Sequence, residues 1–129
     1  MEPGRYDAGM ASSIHLHGIP NSDTVKKARA WLQARGLAHE FVDFKKTAPD
    51  AALLSRWIGA LGSERLLNRK GTTWRALDAA AQAAAASEAG AIALMAAQPS
   101  VIKRPVVQWA DGSLSVGFDE ADWRARTGG

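Results

Sequence analysis

The sequence predicts an α/β protein ordered βαβ, then an all-helical block, then ββα, with a mixed four-stranded sheet. Three observations predict it. Residues 13–46 pass from a strand-like pattern to a helical one and back. Residues 47–98 carry only helical periodicity, and beyond Pro99 two short strand-like runs flank a turn. The chain has 129 residues, 47% of them hydrophobic, which is enough for one substantial core.

Each element has a local reason. "SIHLHGI" alternates and is rich in strand formers, so residues 13–18 read as a strand. Pro20 and Asn21 break it. Asn21 or Ser22 caps the following helix, and Asp23 in the first turn suits the helix dipole. Val25, Ala28, Trp31 and Leu32 lie at helical spacing, and Gly36 suits the position just past the helix end at about Arg35. "AHEFVDF" is a second strand, close enough to the first to give a parallel βαβ unit. In the block, Pro49 fits a first helical turn, and Leu53, Leu54, Trp57, Ile58 and Leu61 form one apolar face that Gly62 ends. "SERLL" is a short helix, and "TTWRALD" starts another with Thr72 or Thr73 as its cap. Ser87 caps "EAGAIALMAAQ", which Pro99 ends. "PVVQW" and "LSVGF" make a hairpin about Asp111–Gly112, and Asp119 caps a short last helix.

Composition narrows the chemistry. There is no cysteine, which excludes disulfides, thiolate metal sites and any thiol chemistry of the chain's own. The net charge of +3 favours anionic partners only weakly. "MEPGRYDAGMASS" lacks the apolar stretch of a signal peptide, so residues 1–12 read as a flexible leader, with Met10 a second candidate start. The Ala-rich run from Ala79 to Ala97 is interrupted by Gln82, Ser87, Glu88 and Gly90 and is not expected to span a membrane. A cytoplasmic monomer is the expectation.

The order βαβ, helical block, ββα is the thioredoxin-like arrangement with a helical insertion. Residues 13–46 and 99–126 would form its core and 47–98 the insertion. The strings "GIPNSDTVKKAR", "LLNRKGTTWRALD" and "PSVIKRPVV", followed by "VGF", resemble the arsenate reductase (ArsC)/Spx-like family. Within it they are most similar to the small bacterial proteins proposed as glutathione-dependent thiol reductases. The resemblance implies that Ser22 stands where the family has its nucleophilic cysteine. It implies that Arg104 stabilises an oxyanion and that Pro105 follows a cis bond beside the site. Arsenate reductases proper use two further arginines. This chain offers Asn68 and Arg69 near the first, and no basic residue near the second, around Val116–Gly117.

Physics explains such a constellation. A helix N-terminus presents unpaired N–H donors and about half a positive charge, which lowers a thiol pKa and binds oxyanions. An arginine adds a fixed bidentate donor. A serine keeps that anion site and loses the sulfur chemistry, because its hydroxyl is not ionised at pH 7 without a strong base. Three readings of Ser22 stand side by side: a helix cap and nothing more, a natural loss of the nucleophile, or a replacement of cysteine by serine.

The expected site is therefore Ser22 and Arg104 at its centre, with Asn21, Asp23, Thr24, Lys26, Arg69 and Pro105 as binding residues. No metal or resident cofactor is expected, and glutathione is the expected co-substrate. His15 and His17 share one strand face without a third ligand at useful spacing; the family often has an aromatic residue at the place of His17, which favours packing. The basic pairs lack interleaved aromatics, so nucleic acid is not an expected partner. The function expected is that of a thiol oxidoreductase scaffold, redox-inactive as written and limited to binding glutathione or a small oxyanion. The alternative is an Spx-like adaptor that binds the RNA polymerase α subunit. It ranks lower, because the N-terminal CxxC switch of those regulators would fall on Ser22 and Val25.

Overall fold

The computed structural model describes residues 13–128; the expected leader, Met10 included, lies outside them. In chain order the elements are β1 (Ile14–Gly18), α1 (Asp23–Ala34), β2 (His39–Asp43), α2 (Ala51–Leu61), α3 (Ser63–Leu66), α4 (Thr72–Arg75), α5 (Ala79–Ala84), α6 (Glu88–Ala97), a 3-10 turn (Pro99–Val101), β3 (Val106–Gln108), β4 (Leu114–Val116) and α7 (Glu120–Thr127). They fall into two compact units. One contains the described residues up to Asp43 and from Arg104 onward, and the other is Phe44–Lys103.

The first unit holds the sheet, ordered β2-β1-β3-β4. β1 and β2 are parallel, and β3 is antiparallel to both β1 and β4, so the sheet is mixed as the sequence predicts. The period of two decides its faces. Ile14 and Leu16 of β1 and Val107 of β3 join Val25, Ala28 and Leu32 of α1 and Trp109 and Trp123 in one core cluster. The opposite face carries His15, paired in register with Glu40 and Gln108, and His17, paired with Val42 and Val106. The core is strongly aromatic: the Trp123 ring meets Phe118 at 4.7 Å, Trp109 at 4.9 Å and Trp31 at 5.7 Å, each edge to face. The buried Trp109 N–H donates to Ser115 Oγ at 2.9 Å, so the large ring is buried without an orphaned donor. The tryptophans pack as core, as the sequence implies.

The ends of α1 follow local rules. Ser22 is its N-cap. At the other end Gly36 takes a φ of 65°, the Gly36 N–H donates to Gln33 O at 3.0 Å and the Leu37 N–H to Leu32 O at 3.0 Å. That pair of bonds is a Schellman motif, and it needs the left-handed residue glycine supplies.

The second unit is built on Leu54, Trp57, Leu61, Leu66, Trp74, Met95 and Ile102, all buried. Two sequence expectations are corrected here. Pro49 is not in the first turn of α2: Asp50 is the cap, its carboxylate accepting the Leu53 N–H at 2.9 Å, and Pro49 lies just before it. A carboxylate that satisfies an orphan donor outweighs the preference of proline for the first turn. Neither Thr72 nor Thr73 caps α4. Its N-cap is Gly71, which has no side chain to give a cap bond; the Gly71 N–H is turned back onto Asn68 O at 3.1 Å and the helix starts directly from that turn. No helix among the described residues is long and apolar enough to cross a membrane, and the Ala-rich run is two separate helices.

The corner between α5 and α6 explains Gly90. Ser87 Oγ accepts the Gly90 N–H at 3.0 Å and donates to Ala84 O at 3.3 Å. A Cβ on Gly90 would collide with the Ala84 carbonyl, which is backbone and cannot rotate aside. Gly90→Ala is therefore expected to destabilise the protein by about 1–3 kcal/mol, although alanine is the better helix former. Urea unfolding of the variant checks this; a gain in stability would refute it.

Candidate functional site

The candidate site lies at the C-terminal end of β1. Past Gly18 the chain turns through exposed Pro20 and Asn21, and the Ser22 N–H donates to Ile19 O at 3.1 Å, which fixes the turn. Ser22 then enters α1 with extended dihedrals (φ −72°, ψ 129°), as an N-cap must. Its carbonyl accepts the Lys26 N–H at 2.9 Å. Its hydroxyl oxygen accepts the Val25 N–H at 3.4 Å, near the outer limit of a hydrogen bond. Among the described residues the partner of that hydroxyl is thus a peptide N–H, not an imidazole or carboxylate able to take its proton. Asp23, Thr24 and Lys26 are exposed on the first turns of the same helix.

Arg104 and Pro105 border the same strand end. The β1–β3 ladder runs to His17↔Val106, and Gly18 and Pro105 are the next residues along the two chain segments. The Arg104–Pro105 peptide bond is cis. Pro105 is buried, and its carbonyl accepts the Gly117 N–H at 2.8 Å. Arg104 is half-buried, and burial pulls its pKa below the usual arginine value. A guanidinium starts so high that the group is still a cation at neutral pH.

Gly18 joins the two halves. A Cβ built on it would stand 2.7 Å from Val25 Cγ2 and 3.7 Å from Arg104 Cβ. The first turn of α1 and the base of Arg104 therefore flank one bare α-carbon. Sequence reasoning took Gly18 only as the end of a strand; the signal available was a glycine closing a strand, which marks close backbone approach.

Of the expected residues, the structure gathers Asn21, Ser22, Asp23, Thr24 and Lys26 at the helix start, and Arg104 and Pro105 at the neighbouring strand end. Arg69 belongs to the Phe44–Lys103 unit, where its exposed guanidinium sits 5.4 Å from the centre of the Trp74 ring, a cation–π contact. His15 Nε2 lies 3.3 Å from Glu40 Oε1. No group of three or more His, Cys, Asp or Glu able to hold a metal occurs among the described residues. A cavity of about 390 Å³, with Ile14, Trp109 and Arg126 in its walls, lies at the opposite end of β1 and includes none of the expected site residues.

A parallel βαβ unit, an antiparallel hairpin and a closing helix, with a cis proline beside the start of α1, define a thioredoxin-like protein. More particularly, the model of the ArsC family matches residues 17–126, and the chain belongs to that family. Its relatives agree. The chain is similar to a solved structure of the YFFB protein, with 45% identity, coverage of 88% of this chain and 97% of that one, and a TM-score of 0.83. It is similar to an arsenate reductase (ArsC) related protein from Brucella melitensis, with 42% identity over 98% of each chain and a TM-score of 0.70. It is 34% identical over 112 residues to an uncharacterized protein of Haemophilus influenzae, covering 87% of this chain and 96% of that protein.

Proposed function

We propose that this ArsC-family chain is a glutathione-linked thiol oxidoreductase scaffold whose nucleophile position is filled by Ser22. As written it binds glutathione or a small oxyanion and performs no redox step. It works as a cytoplasmic monomer with no resident cofactor. Ser22, whose hydroxyl among the described residues accepts the N–H of a helix start, on a first turn that meets the same glycine as the base of Arg104, carries this reading. The donors suit an anion: free helix-start amides, Lys26 one turn on, and the guanidinium of Arg104. Asn21, Asp23 and Thr24 line the entry, and Pro105 fixes the backbone beside it.

A sulfur at residue 22 would complete the chemistry. Its thiolate would attack one sulfur of a disulfide and expel the other as a thiolate. The resulting mixed disulfide would then be open to a glutathione thiol. Serine offers no such step.

Ser22→Cys is the test. The introduced thiol is expected to titrate clearly below about 8.5, because the helix start and Arg104 favour the thiolate. The variant should also gain glutathione-dependent disulfide reduction. Alkylation rate against pH reads the first, and a coupled disulfide assay reads the second. A thiol that titrates at its ordinary value and reduces nothing overturns the proposal. Retrieval of RNA polymerase by the unaltered protein, with no glutathione binding, would favour the adaptor instead.

A further inference from the structure

We infer that Gly18 is a positioning residue for the Ser22 site: its bare α-carbon seats the first turn of α1 against the end of β1, and that seating aims the Val25 N–H at the side chain of residue 22. The inference rests on the proposed function in one respect, that residue 22 is where the reacting or bound group sits.

The crowding is specific. The added Cβ would lie 2.7 Å from Val25 Cγ2 and 3.6 Å from Val25 Cγ1, with Arg104 Cβ on its other side at 3.7 Å. Carbon atoms in contact prefer about 3.5–4.0 Å. Val25 cannot swing away. It is β-branched, so one rotamer dominates in a helix. It is also fully buried among Leu16, Ala28 and Leu32. The strain therefore passes to the backbone of the helix start. Val25 is the third helical residue and supplies the N–H that reaches Ser22 Oγ at 3.4 Å. A shift of a few tenths of an ångström breaks a contact already that long. The glycine is required for space: Gly18 is not among the residues with positive φ.

The electrostatic consequence follows. A thiolate or oxyanion at residue 22 draws its stabilisation from the first-turn amides, and the effect falls off within that turn. A methyl group at residue 18 wedges the helix start away from that atom, while it meets the base of Arg104 only at ordinary contact distance.

Two measurements test this. In the Ser22 protein, Gly18→Ala should speed hydrogen exchange at the Val25 amide several-fold, read by NMR against amides later in α1. In the Ser22→Cys background, adding Gly18→Ala should raise the thiol pKa toward about 8.5. Further addition of Val25→Ala removes both methyl carbons the new Cβ meets. It should return the pKa to that of the Ser22→Cys/Val25→Ala protein. A merely structural role would lower the melting temperature and leave the thiol pKa where it was. Unchanged exchange at Val25 with an unchanged thiol pKa overturns the inference. If the thiol titrates at about 8.5 with Gly18 intact, the functional reading fails, while exchange at Val25 still decides the positioning. Should Gly18→Ala not fold, Gly18→Ala/Val25→Ala is expected to fold; its failure would overturn the proposed clash.

Discussion

Replacing Trp123 with alanine is expected to cost about 3–5 kcal/mol, against a total of about 5–15 kcal/mol for an ordinary domain. Trp123 is fully buried, and its ring is the hub on which Phe118, Trp109 and Trp31 all converge edge to face. Truncation removes the largest side chain α7 contributes and leaves a cavity whose walls come from α1, β3 and the segment after β4. The surrounding rings are themselves packed and cannot fill it. Beyond the Trp123 ring the helix is tied down by exposed Arg126, whose Nη1 donates to Ser113 Oγ at 2.9 Å and which lies 5.8 Å from the centre of the Trp109 ring. Its ion pairs, Glu120–Arg124 and Asp122–Arg126, are exposed i,i+4 contacts, worth a few tenths of a kcal/mol each. Urea denaturation of Trp123→Ala, with Trp123→Phe as the partly filled comparison, measures the loss. A cost below about 1 kcal/mol would mean the aromatic cluster is not what fixes α7.

Acid is expected to destabilise the protein through His17. The residue is nine-tenths buried on its strand, and burial first, then the nearby charge of His15, lowers its pKa from 6.5 to about 4. The folded form thus refuses a proton that the unfolded chain accepts. Stability from this group is fully present above pH 6.5 and is lost as pH falls from 6.5 to about 4, levelling below that. The loss amounts to about 3 kcal/mol at about 1.4 kcal/mol per unit. His15, with Glu40 beside it, stands on the same sheet face. His17→Phe should flatten the pH dependence in this window, whatever its effect at neutral pH. Unfolding free energies at pH 7 and pH 4.5 for both proteins decide it; equal losses in the two would refute the assignment.

Much of the fold was legible because its signals are local. Ser22, Ser87 and Asp119 cap helices three residues ahead of the N–H they accept, and that relation is visible in a linear chain. Gly36 and the Asp111–Gly112 turn announce left-handed positions in the same way. The two misplaced helix starts show the limit. Around Pro49–Asp50 and Gly71–Thr73 adjacent residues compete for one role, and the winner is set by which donor is left over once the surrounding backbone has turned. The site was legible as a set of residue types in order. Gly18 was not, because a glycine closing a strand hints at close approach without saying what approaches, and only packing names Val25.

The sequence by itself determined the element order, most of the caps, the absence of cysteine and the family strings, since each can be read along the chain without its fold. The tertiary structure alone decided that the base of Arg104 and the first turn of α1 close on the same glycine. It alone decided that His17 is driven neutral by burial and that four aromatic rings from distant segments share one hub. Contacts of that kind join residues up to about 90 positions apart, and chain entropy gives no hint of them until the sheet and its helices have formed.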